Sequence, residues 1–278
     1  MAGTTALEHS NVLQVIAVQF ISATAALMLI RRLTGRRKLR MESAAASSAA
    51  EKSFGYGIGI VGLGGTMVLQ YIAFANAPIM DANIIAYSWP MLAAIYLAVT
   101  ALNTSTVASV VISLIGFGGV TLIVAGQTAT DNGTGNVVLG YCAAVGSAAC
   151  MAVYTLGMRT VRIPVLDLML MTTAVGGVGA VLTMIVTTTP VAISSEAGLA
   201  IYIGIGPVAL GYTLWSFGMK LSGGRLAPLG FMTPVLSTLV LLLGGNAFGG
   251  VTALGAGIVL LCTVAVLVVD RLFGNASL

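Results

Sequence analysis

Residues 235–243 read VLSTLVLLL, and this run decides the fold class. It is predominantly apolar and shows no alternation between apolar and polar positions. In lipid, where no water can satisfy the backbone, only α-helices and closed β-barrels pair all their N–H and C=O groups. Because barrel strands alternate apolar and polar residues over about ten positions, the run predicts a membrane-spanning helix.

The composition extends this prediction to the whole chain. Of its 278 residues, 58% are hydrophobic and only 7% are charged, whereas a soluble globular domain carries roughly 25% charged residues. So few charges cannot cover a surface that faces water. We therefore predict an all-α, polytopic membrane protein. The same composition excludes a soluble enzyme and, despite a net charge of +4, a nucleic-acid-binding protein.

Nine apolar stretches occupy most of the chain, each near the length of about 20 residues that a helix needs to cross a bilayer. They are residues 11–33, 54–76, 82–102, 107–126, 136–158, 168–188, 199–219, 227–246 and 251–269. Lys and Arg lie only between these stretches or at their ends, after the first, fifth, seventh and ninth. Because cytoplasmic loops collect basic residues, we expect an external N-terminus and a cytoplasmic C-terminus.

Two parts of the chain carry similar segments. In the first part, Tyr71 leads through a short loop to Pro90 in the third stretch; in the second part, Tyr212 leads to Pro234 at a similar depth in the eighth. The two segments enter the membrane from opposite faces. This favours repeats of inverted topology, a common architecture of secondary transporters, over chance similarity between apolar segments.

A turn-rich link at residues 131–135, with the sequence DNGTG, lies between the two copies. We therefore assign residues 1–130 to a first repeat with four stretches. Residues 131–278 form a second, inverted repeat with five.

Two motifs carry a resemblance to a known family. They are YSWPML at residues 87–92 and FMTPVLS at residues 231–237. From residue 7 to residue 272 the chain resembles the drug/metabolite transporter superfamily in its EamA-type branch, and most closely the YddG-type aromatic amino-acid exporters. The resemblance implies ten helices in two inverted five-helix repeats around a central substrate cavity. Because the first stretch matches the family's second helix, it also implies that the family's first helix is absent from this chain.

The positions of the charged residues limit the chemical class of the substrate. No charged side chain lies in the middle of any stretch, whereas proton relays and cation sites use intramembrane carboxylates and phosphate-bearing substrates need Arg or Lys. We predict a small neutral or zwitterionic substrate. The resemblance implies aromatic and other neutral amino acids, exported by alternating access across the bacterial inner membrane. The alternatives are export of drugs or other metabolites in the same fold, or a non-transporting membrane scaffold.

Trp89 is the first candidate for substrate binding. It lies about eight residues into its stretch, roughly 12 Å deep, below the interfacial belt where Trp is usually found. It would form a stacking wall of the cavity, or else pack between helices. Asn83 and Tyr87 lie one turn apart and form a polar stripe, and Tyr87 is expected to face away from Trp89. The further candidates, taken from the repeated segments and from the helices that the resemblance places at the cavity, are Tyr71, Tyr154, Tyr212, Trp215, Thr233 and Ser237.

Three prolines inside the stretches are candidate hinges. Pro90 and Pro234 leave backbone carbonyls without helical donors one turn earlier, near Ala86 and Gly230. Such irregular backbone is tolerated at membrane depth only where protein or a cavity receives it. Pro207 in the seventh stretch is the third candidate. A static kink is the alternative at each position.

No sequence motif indicates catalysis or a cofactor. The pattern G-x-G-x-x-G at residues 57–62 matches a dinucleotide-binding expression, but it lies inside an apolar stretch with no preceding strand. We interpret it as a place where two helices approach closely. His9 is the only histidine and lies outside the stretches, so we expect no enzyme activity, metal or cofactor. The expected partners are a small-molecule substrate and the lipid bilayer.

Overall fold

The structure, a computed structural model, describes residues 12–33, 48–100, 104–125, 135–188, 197–223, 225–243 and 249–273. These residues are almost wholly helical and contain no strand. The α-helices are α1 (Val12–Leu33), α2 (Ala49–Gly57), α3 (Gly65–Asn76), α4 (Ile79–Ala86), α5 (Trp89–Thr100), α6 (Thr104–Ala125), α7 (Val137–Gly157), α8 (Val165–Val186), α9 (Ala197–Ile203), α10 (Tyr212–Ser222), α11 (Met232–Leu243) and α12 (Gly250–Phe273).

Three irregular helices complete the described part of the chain. The first π-segment (Ile58–Gly64) joins α2 to α3, and the second π-segment (Gly204–Gly211) joins α9 to α10. A 3₁₀ helix (Ala227–Phe231) precedes α11. In a π-helix the hydrogen bonds run from i to i+5. Such wide turns are rare in proteins, and those that occur often lie at functional sites.

The prediction of a polytopic all-α membrane protein is confirmed. In the described part of the chain each of the nine predicted stretches overlaps helical structure, and eight continuous helices there are long and apolar enough to cross a membrane. The stretch at 227–246 differs because it begins as a 3₁₀ helix and continues as α11.

Local sequence signals set several helix ends. Ser48 begins α2 with a capping box, in which its hydroxyl accepts from the Glu51 N–H at 3.2 Å and the Glu51 carboxylate accepts from the Ser48 N–H at 2.9 Å. The Asn136 side chain accepts from the N–H of Leu139 at the start of α7. Gly223 ends α10 in the left-handed conformation, with φ of 60°, where a residue without Cβ is favoured.

The most extensive helix contacts pair α1 with α8, α3 with α7, and α6 with α12. Each pair joins a helix before residue 130 to one after residue 131. At the crossing of α6 and α12, Gly119 and Gly255 bring the two backbones together, because a Cβ on Gly255 would lie 2.5 Å from the Gly119 carbonyl oxygen. Small residues permit this close approach.

Irregular backbone occurs at matching places in the two parts of the chain. The second and seventh predicted stretches each contain a π-segment, and the third and eighth are each interrupted just before a proline. This correspondence agrees with the division into residues 1–130 and 131–278, which stays a prediction.

Candidate functional site

A cavity of about 350 Å³ lies among the irregular helices. Its polar and aromatic lining residues are Thr66, Gln70, Tyr87, Trp89, Ser147, Tyr212, Trp215 and Thr233. The others are Ala86, Met151, Pro207, Gly211 and Gly230. None of these lining residues is charged, so the cavity offers dipoles and aromatic faces without a formal charge.

An aromatic pair forms one side of this larger cavity. Trp89 and Trp215 pack edge to face, with ring centroids 5.5 Å apart and an interplanar angle of 86°. The Trp89 ring lies directly over Gly230, where a Cβ would come within 2.7 Å of the ring atom Cη2. Trp89 is therefore in the cavity wall, and Trp215 lies there with it.

The break between α4 and α5 turns both Tyr87 and Trp89 toward the larger cavity. The Tyr87 N–H donates to the Asn83 carbonyl and the Ser88 N–H donates to the Ile85 carbonyl, which closes α4. Because α5 then begins at Trp89, the two aromatic residues do not follow one helical rotation, and the expectation that they face apart is wrong. Asn83 lies one helical turn before Tyr87 and does not line the cavity.

The residues whose carbonyls lose a helical donor at Pro90 and Pro234 lie at the larger cavity. Ala86 and Gly230, four residues before Pro90 and Pro234, both line the larger cavity. Pro90 is buried at the second position of α5, and Pro234 lies at the third position of α11. The irregular backbone is thus received by a cavity.

The remaining candidates in α11 and the second π-segment lie as follows. Pro207 lies inside the second π-segment and lines the larger cavity. Thr233 lines the same cavity. Ser237 belongs to α11, but its side chain lies outside the described residues.

A smaller cavity of about 160 Å³ adjoins the larger one. It is lined by Gln19, Met67, Gln70, Tyr71, Phe74, Ile203, Pro207, Val208 and Tyr212. Gln70, Pro207 and Tyr212 line both cavities and form the neck between them. The predicted residue Tyr71 therefore belongs to the smaller cavity, where its hydroxyl donates to Gln19 Oε1 at 2.6 Å.

Tyr154 lies behind the cavity wall. It is fully buried, its hydroxyl is hydrogen-bonded to Ser216 Oγ, and its Cβ faces Gly62 of the first π-segment. Ser147, on the same helix, lines the larger cavity instead. Tyr154 thus connects the first π-segment to α10 and does not contact the cavity.

Some polar side chains of the cavities bond to protein groups and others do not. Thr66 Oγ1 donates to the Gly62 carbonyl at 2.6 Å, and Ser147 Oγ donates to the Thr66 carbonyl at 3.0 Å. By contrast, within the described part of the chain no protein hydrogen bond is made by the Gln70 amide or by the hydroxyls of Tyr87 and Tyr212. These neutral groups are available to a ligand.

Sequence reasoning missed Thr66, Gln70 and Gln19. A signal was present, because each is a polar residue within an apolar stretch, and Thr66 and Gln70 are four residues apart and so share one helix face. Buried amides need partners, which makes such residues candidates for contact with a ligand or a neighbouring helix.

Polar contacts join helices at both ends of the bundle. At one end, Arg31 pairs with Asp167 at 3.1 Å and Arg162 pairs with Glu51 at 2.7 Å. At the other end, the Tyr141 hydroxyl donates to Asp81 at 2.7 Å. Each of these contacts joins the two predicted repeats.

No protein-family model matches the chain. A curated relative, the aromatic amino acid exporter YddG of Ancylobacter novellus, is 29% identical over 191 residues, which cover 68% of this chain and 67% of the relative. This similarity confirms the predicted resemblance to the YddG-type proteins of the drug/metabolite transporter superfamily. Together with the multi-span helical fold, it supports a membrane transporter of that type.

A solved structure, described only as the crystal structure of a protein, matches this fold. The match has a TM-score of 0.76 and 24% sequence identity, and it covers 97% of this chain and 92% of the other. At this identity the match concerns the fold alone.

Proposed function

Because the chain is a homologue of a YddG-type exporter, we propose that it exports small neutral or zwitterionic metabolites across the bacterial inner membrane. Aromatic and other neutral amino acids are the proposed cargo. The observation that carries the proposal is the uncharged larger cavity of about 350 Å³, with its Trp89–Trp215 pair and unused neutral hydrogen-bonding groups.

The chemistry of the lining suits an amino acid with an apolar side chain. Burying an isolated charge is costly unless it is paired, and no lining residue of either cavity could pair with one. A zwitterion carries no net charge, and its two groups can accept and donate hydrogen bonds to amides and hydroxyls. The aromatic pair offers edges and faces to an apolar side chain, and such contacts are worth about 0.5–1.5 kcal/mol beyond area burial.

Alternating access follows from the proposed inverted repeats, residues 1–130 and 131–278. In such transporters one repeat rocks against the other around a site at mid-membrane. Pro90, Pro207 and Pro234 are the proposed hinges, since each interrupts a helix that lines or supports the cavity. We propose that the end contacts part in turn, Arg31–Asp167 and Arg162–Glu51 on the cytoplasmic side and Tyr141–Asp81 on the other.

The test is counterflow in proteoliposomes with labelled Phe, Trp, Thr and Met. We expect uptake of these amino acids and none of a cationic dye. Trp89→Leu should lower counterflow of Phe and Trp about tenfold, the equivalent of one aromatic contact. Thr121→Val is the control for folding and insertion, because Thr121 lines neither cavity and, among the described residues, its hydroxyl bonds to the Phe117 carbonyl of its own helix.

Three outcomes separate the alternatives. Amino-acid counterflow that depends on Trp89 supports the proposal. Dye flux without amino-acid flux would instead assign a drug exporter in the same fold. Protein that folds normally in the membrane but carries neither probe would favour the non-transporting scaffold.

A further inference from the structure

The two cavities differ in what they can hold. The larger cavity of about 350 Å³ contains the Trp89–Trp215 pair, whereas the adjoining cavity is less than half that size, at about 160 Å³. They meet at the neck formed by Gln70, Pro207 and Tyr212. An elongated ligand with one bulky and one compact end would therefore lie across the neck in a single orientation.

Part of the unused hydrogen-bonding capacity lies at the neck, on Gln70 and Tyr212. Gln70 lines both cavities, and its amide provides donors on nitrogen and an acceptor on oxygen, none engaged by protein in the described residues. The neighbouring amide of Gln19 is already engaged, since its oxygen accepts from the Tyr71 hydroxyl at 2.6 Å. One amide is thus held in place, while the other is available.

Phenol oxygens add acceptors on the side of the smaller cavity. Tyr71 and Tyr212 line it, and the Tyr71 hydroxyl, which donates to Gln19 Oε1, keeps its lone pairs as acceptors. An ammonium group with three donors matches this arrangement of amide and phenol oxygens.

We propose that the smaller cavity, with Gln70 at its mouth, is the head-group subsite for the ammonium and carboxylate of a zwitterionic substrate. The substrate's side chain then lies beside Trp89 and Trp215 in the larger cavity. This assignment rests on the proposed function and adds to it: Gln70 selects for compounds that carry both charged groups.

The test compares substrates that differ only at the head group. Counterflow of tryptophan is measured against tryptamine, which lacks the carboxylate, and indole-3-propionate, which lacks the ammonium. Gln70→Glu places a carboxylate where the substrate carboxylate binds, so tryptophan counterflow should fall at least tenfold while tryptamine counterflow rises. Gln70→Leu should raise the KM for tryptophan about tenfold, the effect of losing a hydrogen bond to a charged group, without a gain for tryptamine.

A purely structural role for Gln70 would not reverse the preference between tryptophan and tryptamine, so that reversal is the deciding result. Thr121→Val controls for folding and insertion. If wild-type protein transports tryptophan and Gln70→Glu keeps the wild-type order of the three substrates, the head-group subsite is wrong and the proposed function stands. If wild-type protein transports no amino acid, both are overturned.

Discussion

The two π-segments share one backbone form but have different surroundings. In the first, Ile58, Gly59, Gly62 and Leu63 are buried, and a Cβ on Gly62 would lie 2.8 Å from Tyr154 Cβ and 3.0 Å from Tyr154 Cα. The first π-segment is therefore fixed against α7. Gly59 and Gly62 therefore agree with the interpretation of residues 57–62 as a place of close helix approach, whereas a Cβ on Gly57 would meet nothing within 4 Å.

The second π-segment has more room. Apart from Gly204, which packs against α1, its glycines lie in open surroundings, with nothing nearer than 3.9 Å to a Cβ on Gly206 and 3.7 Å to one on Gly211. Pro207 and Gly211 line the larger cavity. The second π-segment is thus packed tightly at its start, at Gly204, and loosely at Gly206 and Gly211. We expect the second π-segment to move during transport.

The largest expected difference comes from a matched pair of valine substitutions. Gly62→Val should lower the free energy of unfolding by about 1–3 kcal/mol, because the added carbons overlap the backbone of α7. Gly211→Val should leave stability close to wild type but reduce counterflow, because its side chain enters the larger cavity. Thermal unfolding in detergent and counterflow measure the two effects, and equal stability of the two variants would contradict the difference in packing between the two π-segments.

A smaller effect tests the connection between the two regions. Tyr154 faces Gly62 with its Cβ and bonds to Ser216 with its hydroxyl. Tyr154→Phe should cost about 1 kcal/mol of unfolding free energy, because Ser216 Oγ keeps the Tyr212 carbonyl as a partner. Ser216→Ala should cost more, since it leaves the buried tyrosine hydroxyl with only the Met169 sulfur, 3.5 Å away. Chemical denaturation of both variants should give this order; the reverse order would contradict it.

The smallest expected effect is a gain. Gly206→Ala should stabilise the protein by up to about 1 kcal/mol, because alanine favours the helix and its Cβ meets nothing closer than 3.9 Å. We expect slower counterflow, since alanine allows fewer backbone conformations than glycine and so restricts the second π-segment. Gly59→Ala is the control in the first π-segment, where a Cβ would lie 2.6 Å from Leu168 Cδ1 and should destabilise. Faster counterflow in Gly206→Ala would contradict a moving segment.

The sequence predicts the features that depend on the local chain, namely the helical stretches and their breaks. Apolar length determined the nine stretches, and the prolines located the breaks before Pro90 and Pro234, because both signals act through the chain's own backbone. The π-segments were not predicted, because glycine-rich apolar sequence is compatible with both an α-helix and a π-helix and apolar length does not distinguish the two.

The same limit applies to the candidate site. Ser147 and Tyr154 are seven residues apart and share a face of α7, so periodicity could not separate them. What separates them is depth: the lining of the larger cavity reaches Met151 and stops before Tyr154. Gln70 is a residue that the sequence did not identify and the structure does. Only the arrangement of α3, α7 and α10 reveals that its amide has no protein partner in the described residues.

The crossing of Gly119 with Gly255 has a consequence for biosynthesis. The close contact joins α6 to α12, so it cannot form until the ribosome has synthesised α12. The pairs α1–α8 and α3–α7 follow the same rule, since α7 and α8 are synthesised after α1 and α3. The earlier helices therefore enter the bilayer before their partners exist, and the glycine face of α6 stays uncovered until α12 arrives.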